Sequence, residues 1–356
     1  MRLMRSLALA AAATIVAAPA AVRAETFEIT VSAGHGPQLP WIRMLQDYFM
    51  PEVDRRLKEA GGKHIIAWKE ALGGTLAKIG GELAAIEEGT SEMGWVSTIF
   101  EPDKLPLHAV TFMAPFGSDD AREVSHIVYE LHQEVPELAN EWTKHKQVFL
   151  AAIATDTDYM LTKFPVSKID DIKGRKMGAA GSLALWIDGI GGVPVAGDFA
   201  THYDNLKTGA YDGLIAFSTG FYPNKLHQLA PYATRVDFGS MMIGCVSVNK
   251  PFFDKLPGDV QKIFKDVGHD YMDKVASRLT TLAKEFEKKM AQEGAHFSLL
   301  PGEQRKRWAN TMPNIAKSWV EANEARGLPA RKVLTAYLAK LRENQVHLVR
   351  QWDKDW

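Results

Sequence analysis

The stretch Phe164–Gly213 reads FPVSKIDDIKGRKMGAAGSLALWIDGIGGVPVAGDFATHYDNLKTGAYDG. A loop with Pro165 leads to a short strand around Arg175–Met177, and a helix-compatible run begins at Ser182. An apolar strand follows around Val193–Val195, then a helix from about Ala200 to Thr208. Strand and helix alternate at the spacing of an open α/β sheet, whose strand ends form a crevice that binds ligands.

Working outward, Phe27–Ser32, His64–Trp68, Glu92–Ser97, Val110–Phe116 and Val148–Ala154 read as strands upstream, and Leu214–Phe217 and Met241–Val248 downstream. Helices are expected over Trp41–Glu59, with a kink or break at Pro51, over Leu76–Glu88, and from Asp120 to about His132. Ile263, Val267, Tyr271, Val275, Leu279, Leu282, Phe286 and Met290 recur at spacings of four and three, the stripe of one long helix. Two more helices are expected, around Gly302–Arg326 and Ala330–Trp352. No repeat or interdomain linker is visible, so two interwoven lobes are expected, with the chain crossing between them more than once.

The start of the chain has the layout of a secretory signal. Arg2 and Arg5 precede an apolar run, Leu7–Val16, that is short for a bilayer, and Val22-Arg23-Ala24 offers a cleavage site. Cleavage after Ala24 leaves 332 residues and, with three arginines and no acid removed, moves the formal charge from −1 to −4. The expected location is extracytoplasmic, most simply a bacterial periplasm. The expected organisation is a signal peptide at 1–24, a first lobe of 25–150 with about 241–270, a second lobe of 151–240, and C-terminal helices of 271–356 packed across both.

Several function classes are disfavoured. No basic face interleaved with aromatic residues suggests nucleic acid. Cys245 is the single cysteine, in the strand-like run MMIGCVSV, and reads as an inert core thiol. The histidines lack metal-ligand spacing, and no nucleophile elbow, zinc-protease motif or phosphate-cradling glycine loop occurs. Ser247 and Lys250 fit S-x-x-K without its companion motifs. No catalytic residue, metal site or cofactor is therefore expected, and solute capture is favoured over catalysis.

Several phrases, in order along nearly the whole mature chain, resemble the DctP-type solute-binding proteins of TRAP (tripartite ATP-independent periplasmic) transporters. They are Gly89-Thr90-Ser91-Glu92-Met93-Gly94, Ala114-Pro115-Phe116, Ile172-Lys173-Gly174, Leu206 to Gly213 (LKTGAYDG), and Asn249-Lys250 with Asp254-Lys255-Leu256-Pro257. The resemblance implies a two-lobed, periplasmic-binding-protein-like α/β fold (type II-like) bridged by a long helix, with a helical C-terminal region. It also implies cleft closure on a small solute and delivery to a small and a large membrane subunit. Whether the terminal helices pair two copies into a homodimer is left open.

One departure bears on the solute. The family usually carries an arginine where this chain has Gly178, and its guanidinium forks onto a substrate carboxylate. A second family arginine lies near Thr155–Tyr159, where this chain has Asp156 and Asp158. The family's weight favours an organic acid, aromatic ones included; the missing arginine and the two aspartates favour an amine-bearing or neutral polar solute.

Loops after strands supply the candidate contacts. His35, Gln38 and Trp41 follow the first strand, and a turn with a helix-starting tryptophan is the competing reading. Gly73-Gly74-Thr75 with Lys78 would suit an anion at a helix start, against a plain turn. Trp95, Ser97 and Phe100 end a strand, where core packing explains Trp95 equally well. Asp156, Asp158 and Tyr159 follow Val148–Ala154, and one of the two acids is expected to be solvated or a helix cap. By resemblance, Phe199 and Tyr203 start a ligand-contacting helix, and Ser218, Thr219 and Phe221 follow the next strand at a polar contact position. A sensor-input protein, or an exported hydrolase using Ser247 and Lys250, remains as an alternative.

Overall fold

The computed structural model describes residues 24–354; apart from Ala24, the expected signal peptide lies outside the described residues. Eleven strands run β1 Glu25–Ser32, β2 His64–Ala71, β3 Met93–Val96, β4 Gln147–Ala154, β5 Asp158–Thr162, β6 Lys176–Ala179, β7 Val193–Ala196, β8 Gly213–Phe217, β9 Tyr232–Arg235, β10 Met242–Asn249 and β11 His296–Leu299. They form two sheets, ordered β2-β1-β3-β10-β4 and β11-β9-β5-β8-β6-β7. β1 pairs parallel with β2 and β3, whereas β10 runs antiparallel to β3 and β4. In the second sheet, β6 is parallel to β7 and β8, and β5 is antiparallel to β8 and β9.

The chain passes from the first sheet to the second between β4 and β5, and returns between β9 and β10. It crosses a third time through a helix of 35 residues, Gly258–Gln292, that leads from β10 to β11. At 1.5 Å per residue that helix is about 50 Å long, enough to span both sheets. Tyr271 on it donates to the carbonyl of Trp41 (2.8 Å), beside the first sheet. Four turns on, Glu287 accepts from Tyr159 (2.9 Å) and Ser218 (3.0 Å), beside the second. Side chains of one helix therefore fasten both halves.

Four expected elements differ, each for a local reason. Val110–Phe116 is not a strand: residues 106–113 form a 3-10 turn and a short α-helix. A short buried apolar run carries no period that separates strand from helix, and Pro106 favours a helical start. The Leu76–Glu88 helix begins only at Glu82, because Gly80 takes a left-handed φ of +78° ahead of it. Gly302–Arg326 is two helices, Gly302–Thr311 and Ile315–Glu324, since Pro313 pushes Met312 into an extended conformation (ψ 138°). The last helix stops at Glu343, and the tail beyond it packs by side chains, with Trp352 fully buried.

Pro51 does interrupt its helix, as a widening. Residues 45–49 form a π-turn, in which the Met50 N–H reaches the carbonyl of Leu45. Pro51 cannot donate, and its ring would clash with a carbonyl four residues back; the extra residue per turn accommodates both. β5, β9 and β11 are strands additional to those expected. Asp158 and Tyr159 accordingly lie within β5, rather than in a loop after β4.

Candidate functional site

An apolar cavity lies between the sheets. β1, β3, β6 and β8 end at it, and their following segments line it, as open α/β sheets dictate. His35 and Trp41 come from the segment after β1, and Trp95 and Ser97 from the end of β3. Phe112 comes from the short helix after Pro106. Across the cleft stand Asp158 of β5, Ala180 and Leu183 after β6, Asp198, Phe199 and His202 after β7, and Phe217 at the end of β8. The free volume is small, ≈ 40 Å3, because the rings close on one another. Trp41 meets Phe217 edge-on at 5.3 Å between centroids and Phe199 at 6.0 Å. A room of this size holds little more than water.

Two buried networks set the polar character of the cavity. On the first wall, Ser97 Oγ donates to Glu82 (3.0 Å) and accepts from the Trp95 indole (3.1 Å). Its single proton being spent on Glu82, the contact with His35 Nδ1 at 3.3 Å requires the histidine to donate. That tautomer leaves Nε2 of His35 as an acceptor. On the second wall, the Tyr211 hydroxyl, its pKa pushed up to about 12 by burial, stays protonated and shares a hydrogen bond with His202 Nδ1 at 2.5 Å. Burial lowers both histidines to about 4, against a raising pull from Asp198, so both rings are neutral at pH 7.

Asp158 is 2% exposed, and its Oδ1 has no hydrogen-bond partner. Burial, with Asp156 adding repulsion, pushes its carboxyl well above the usual range. The Trp41 indole N–H is likewise buried and unpartnered. Neither lysine nor arginine is among the lining residues.

Of the residues singled out in the sequence, the cavity brings together His35, Trp41, Trp95, Ser97, Phe100, Asp158 and Phe199. The others lie elsewhere. Gln38 borders a separate surface groove with Pro40 and Arg278. Lys78 is exposed, and Gly73-Gly74-Thr75 starts no helix, so the anion site expected there has no helix terminus behind it. Asp156 accepts from the backbone and hydroxyl of Thr219, tying the turn after β8 to the crossover after β4. Tyr159 and Ser218 are held by Glu287, Phe221 is core, and Tyr203 packs on the rim of that core. Gly178 lies against the Tyr211 ring: a Cβ on it would sit 2.7 Å from Cζ.

Phe112, Asp198, His202 and Phe217 belong to the cavity but were not among the expected contacts. Phe217 closes a recognised strand, and strand ends face the crevice, so that signal was present. His202 lies three residues beyond Phe199 at a helix start, and Asp198 holds that start by accepting from the backbone of Ala200 and Thr201. Phe112 was hidden by reading its segment as a strand. The Ser247/Lys250 pair dissolves: Ser247 donates to Gln147 at 2.5 Å, and Lys250 pairs with Asp254 at 2.7 Å. Cys245 is buried, and burial pushes its thiol well up. Among the described residues no cluster of His, Cys, Asp and Glu is placed to hold a metal ion, and no helix is long and apolar enough to cross a membrane.

Two sheets joined by crossovers and a spanning helix, with an aromatic cavity between them, define a solute-binding protein. Residues 61–323 match the model of bacterial extracellular solute-binding protein family 7 (DctP), and the chain belongs to that family, the non-enzymatic binding proteins of TRAP transporters. Solved structures agree in fold. A marine metagenome TRAP protein specific for aromatic acids, in complex with 3-hydroxybenzoate, is 18% identical, with a TM-score of 0.79 over 90% of this chain and 99% of that one. A TRAP protein of Rhodoferax ferrireducens with copurified benzoate is 18% identical, with a TM-score of 0.78 over 90% and 98%. A pyroglutamate-binding extracytoplasmic receptor of Bordetella pertussis is 19% identical, with a TM-score of 0.74 over 87% and 99%.

Proposed function

We propose that this protein is the periplasmic receptor of a TRAP-type secondary transporter, exported by a signal peptide at residues 1–24. It captures a small organic solute between two lobes, each organised by one sheet, and delivers it to the small and large membrane subunits. The observation that carries this reading is the aromatic cavity between the sheets, which has contacts from both walls only while they are together. A solute touching both walls stabilises the closed arrangement by its differential affinity for it, and the closed shape is what the membrane subunits recognise.

The residues assigned to the solute are His35, Trp41, Asp158, Phe199, His202 and Phe217. An organic acid is one reading of the solute. It is supported by what the structural neighbours bind, and here by the unpartnered Trp41 N–H as a donor to a carboxylate. An amine-bearing or neutral polar solute is the other, supported by the absence of any lysine or arginine from the lining. Thermal-shift measurement against organic acids, amines and polyols tests the receptor reading. A specific ligand raises the melting temperature by several degrees at saturation; no rise with any class would sink the proposal.

A further inference from the structure

Asp158 Oδ1 and Trp41 Nε1 are both buried, both unpartnered, and both belong to side chains that line one cavity. Such groups are costly and rare in a fold, and two of them on one cavity are the partners a bound solute would complete. The cavity also has a sign. Its acidic groups are Asp158 and Asp198, both its histidines are neutral, and no basic side chain lines it. Six large aromatic side chains line it, Trp41, Trp95, Phe100, Phe112, Phe199 and Phe217, and aromatic rings attract cations over their faces.

We propose that the solute carries an ammonium group that pairs with Asp158 among the rings of Trp41, Phe199 and Phe217, together with one acceptor, a hydroxyl or carbonyl, that takes the Trp41 N–H. This rests on the receptor reading above and names the chemistry of the same site. In the empty cleft Asp158 holds a proton; an arriving ammonium supplies the counter-charge that the protein lacks, and the carboxyl ionises against it, releasing its proton to solvent. A carboxylate solute would meet two acids and no cation, and burying an unpaired charge is strongly unfavourable.

The test is a thermal-shift and calorimetric titration with ethanolamine, choline and benzylamine, set against benzyl alcohol, benzoate and pyroglutamate. At least one ammonium compound is expected to raise the melting temperature, with benzylamine exceeding benzyl alcohol, which has the same shape without the charge. That comparison reads the charge in the unaltered protein. Asp158→Asn, which removes an unpartnered carboxyl, is expected to fold with an unchanged or higher melting temperature and to weaken ammonium binding at least a hundredfold. If benzoate or pyroglutamate binds instead, and Asp158→Asn preserves that binding by donating its amide N–H, the ammonium proposal is overturned while the receptor reading stands. If no ammonium compound binds but polyols do, the outcome is the same. If nothing in any class binds, both fail.

Discussion

Gly178 and the ring of Tyr211 occupy one space: a Cβ on the glycine would lie 2.7 Å from Cζ of the tyrosine and 2.9 Å from Cε2. Family resemblance places a carboxylate-binding arginine at Gly178, and here no such side chain fits while Tyr211 stays. The Tyr211 ring fills the space beside Gly178, and its hydroxyl lies 2.5 Å from His202 Nδ1 at the cavity.

Gly178→Ala is therefore expected to destabilise the protein by about 1–3 kcal/mol, the usual cost of overpacking a filled core. Thermal unfolding would show a fall of several degrees. An unchanged melting temperature would mean that the Tyr211 ring moves freely and does not close this space.

Tyr211→Phe keeps the ring and removes the hydroxyl that orients His202. Stability is expected to fall by about 1 kcal/mol, the net worth of one hydrogen bond. Affinity for whichever solute the screen identifies is expected to fall roughly tenfold, or about 1.4 kcal/mol. Calorimetric titration of the variant reads this directly; full affinity would remove His202 from the site.

Glu141 provides a pH signature in the first half of the molecule. It accepts from the Leu107 N–H (3.2 Å) and lies 2.9 Å from His108 Nδ1, whose Nε2 lies 3.0 Å from His132 Nε2. Burial raises Glu141 to about 8 and lowers His108 to about 3, so both are neutral at pH 7. Between pH 4.5 and 8 the unfolded chain has lost the Glu141 proton and the folded chain has kept it. Stability therefore falls as pH rises through that window. Glu141→Gln, which keeps the side chain's shape but does not titrate, is expected to gain roughly 2–4 kcal/mol on the native protein between pH 5 and pH 8. Unfolding curves of the two that stay parallel across this range would contradict the assignment.

Trp352 is the largest anchor of the C-terminal tail, beside the Arg342–Asp353 ion pair and the Arg350 bonds to the Ala309 and Met312 carbonyls. Trp352 is fully buried, donates to the carbonyl of Pro115 at 2.9 Å, and lies under the Arg350 guanidinium at 4.4 Å from its ring centroid. Trp352→Ala is expected to cost about 3–5 kcal/mol and to release residues 344–354 to rapid amide exchange. Slow exchange throughout that tail in the variant would show that another contact holds it.

Legibility in the sequence followed length and period. The helix Gly258–Gln292 has an apolar stripe eight residues deep in the expected list, and every spacing of four or three repeats the same instruction to bury one face. β5, β9 and β11 are four or five residues each, too short for alternation to stand out, and β11 is exposed throughout. At the cavity, residues placed just after a recognised strand, His35, Trp41 and Ser97, were accessible to the rule that strand ends face the crevice. Asp156 and Asp158 were not distinguishable by that rule. They are two residues apart, yet one bonds Thr219 and the other faces the cleft unpartnered, a difference made by β8 and its following turn 60 residues away.

By itself the sequence determined the α/β alternation, the long bridging helix and the family, because each is written in local period, turn residues or short phrases in a fixed order. The tertiary structure alone decided which rings meet across the cleft, which histidine nitrogen carries the proton, and which acid is left without a partner. Those follow from packing two sheets against each other, where burial and long-range hydrogen bonds outweigh any preference of a short segment.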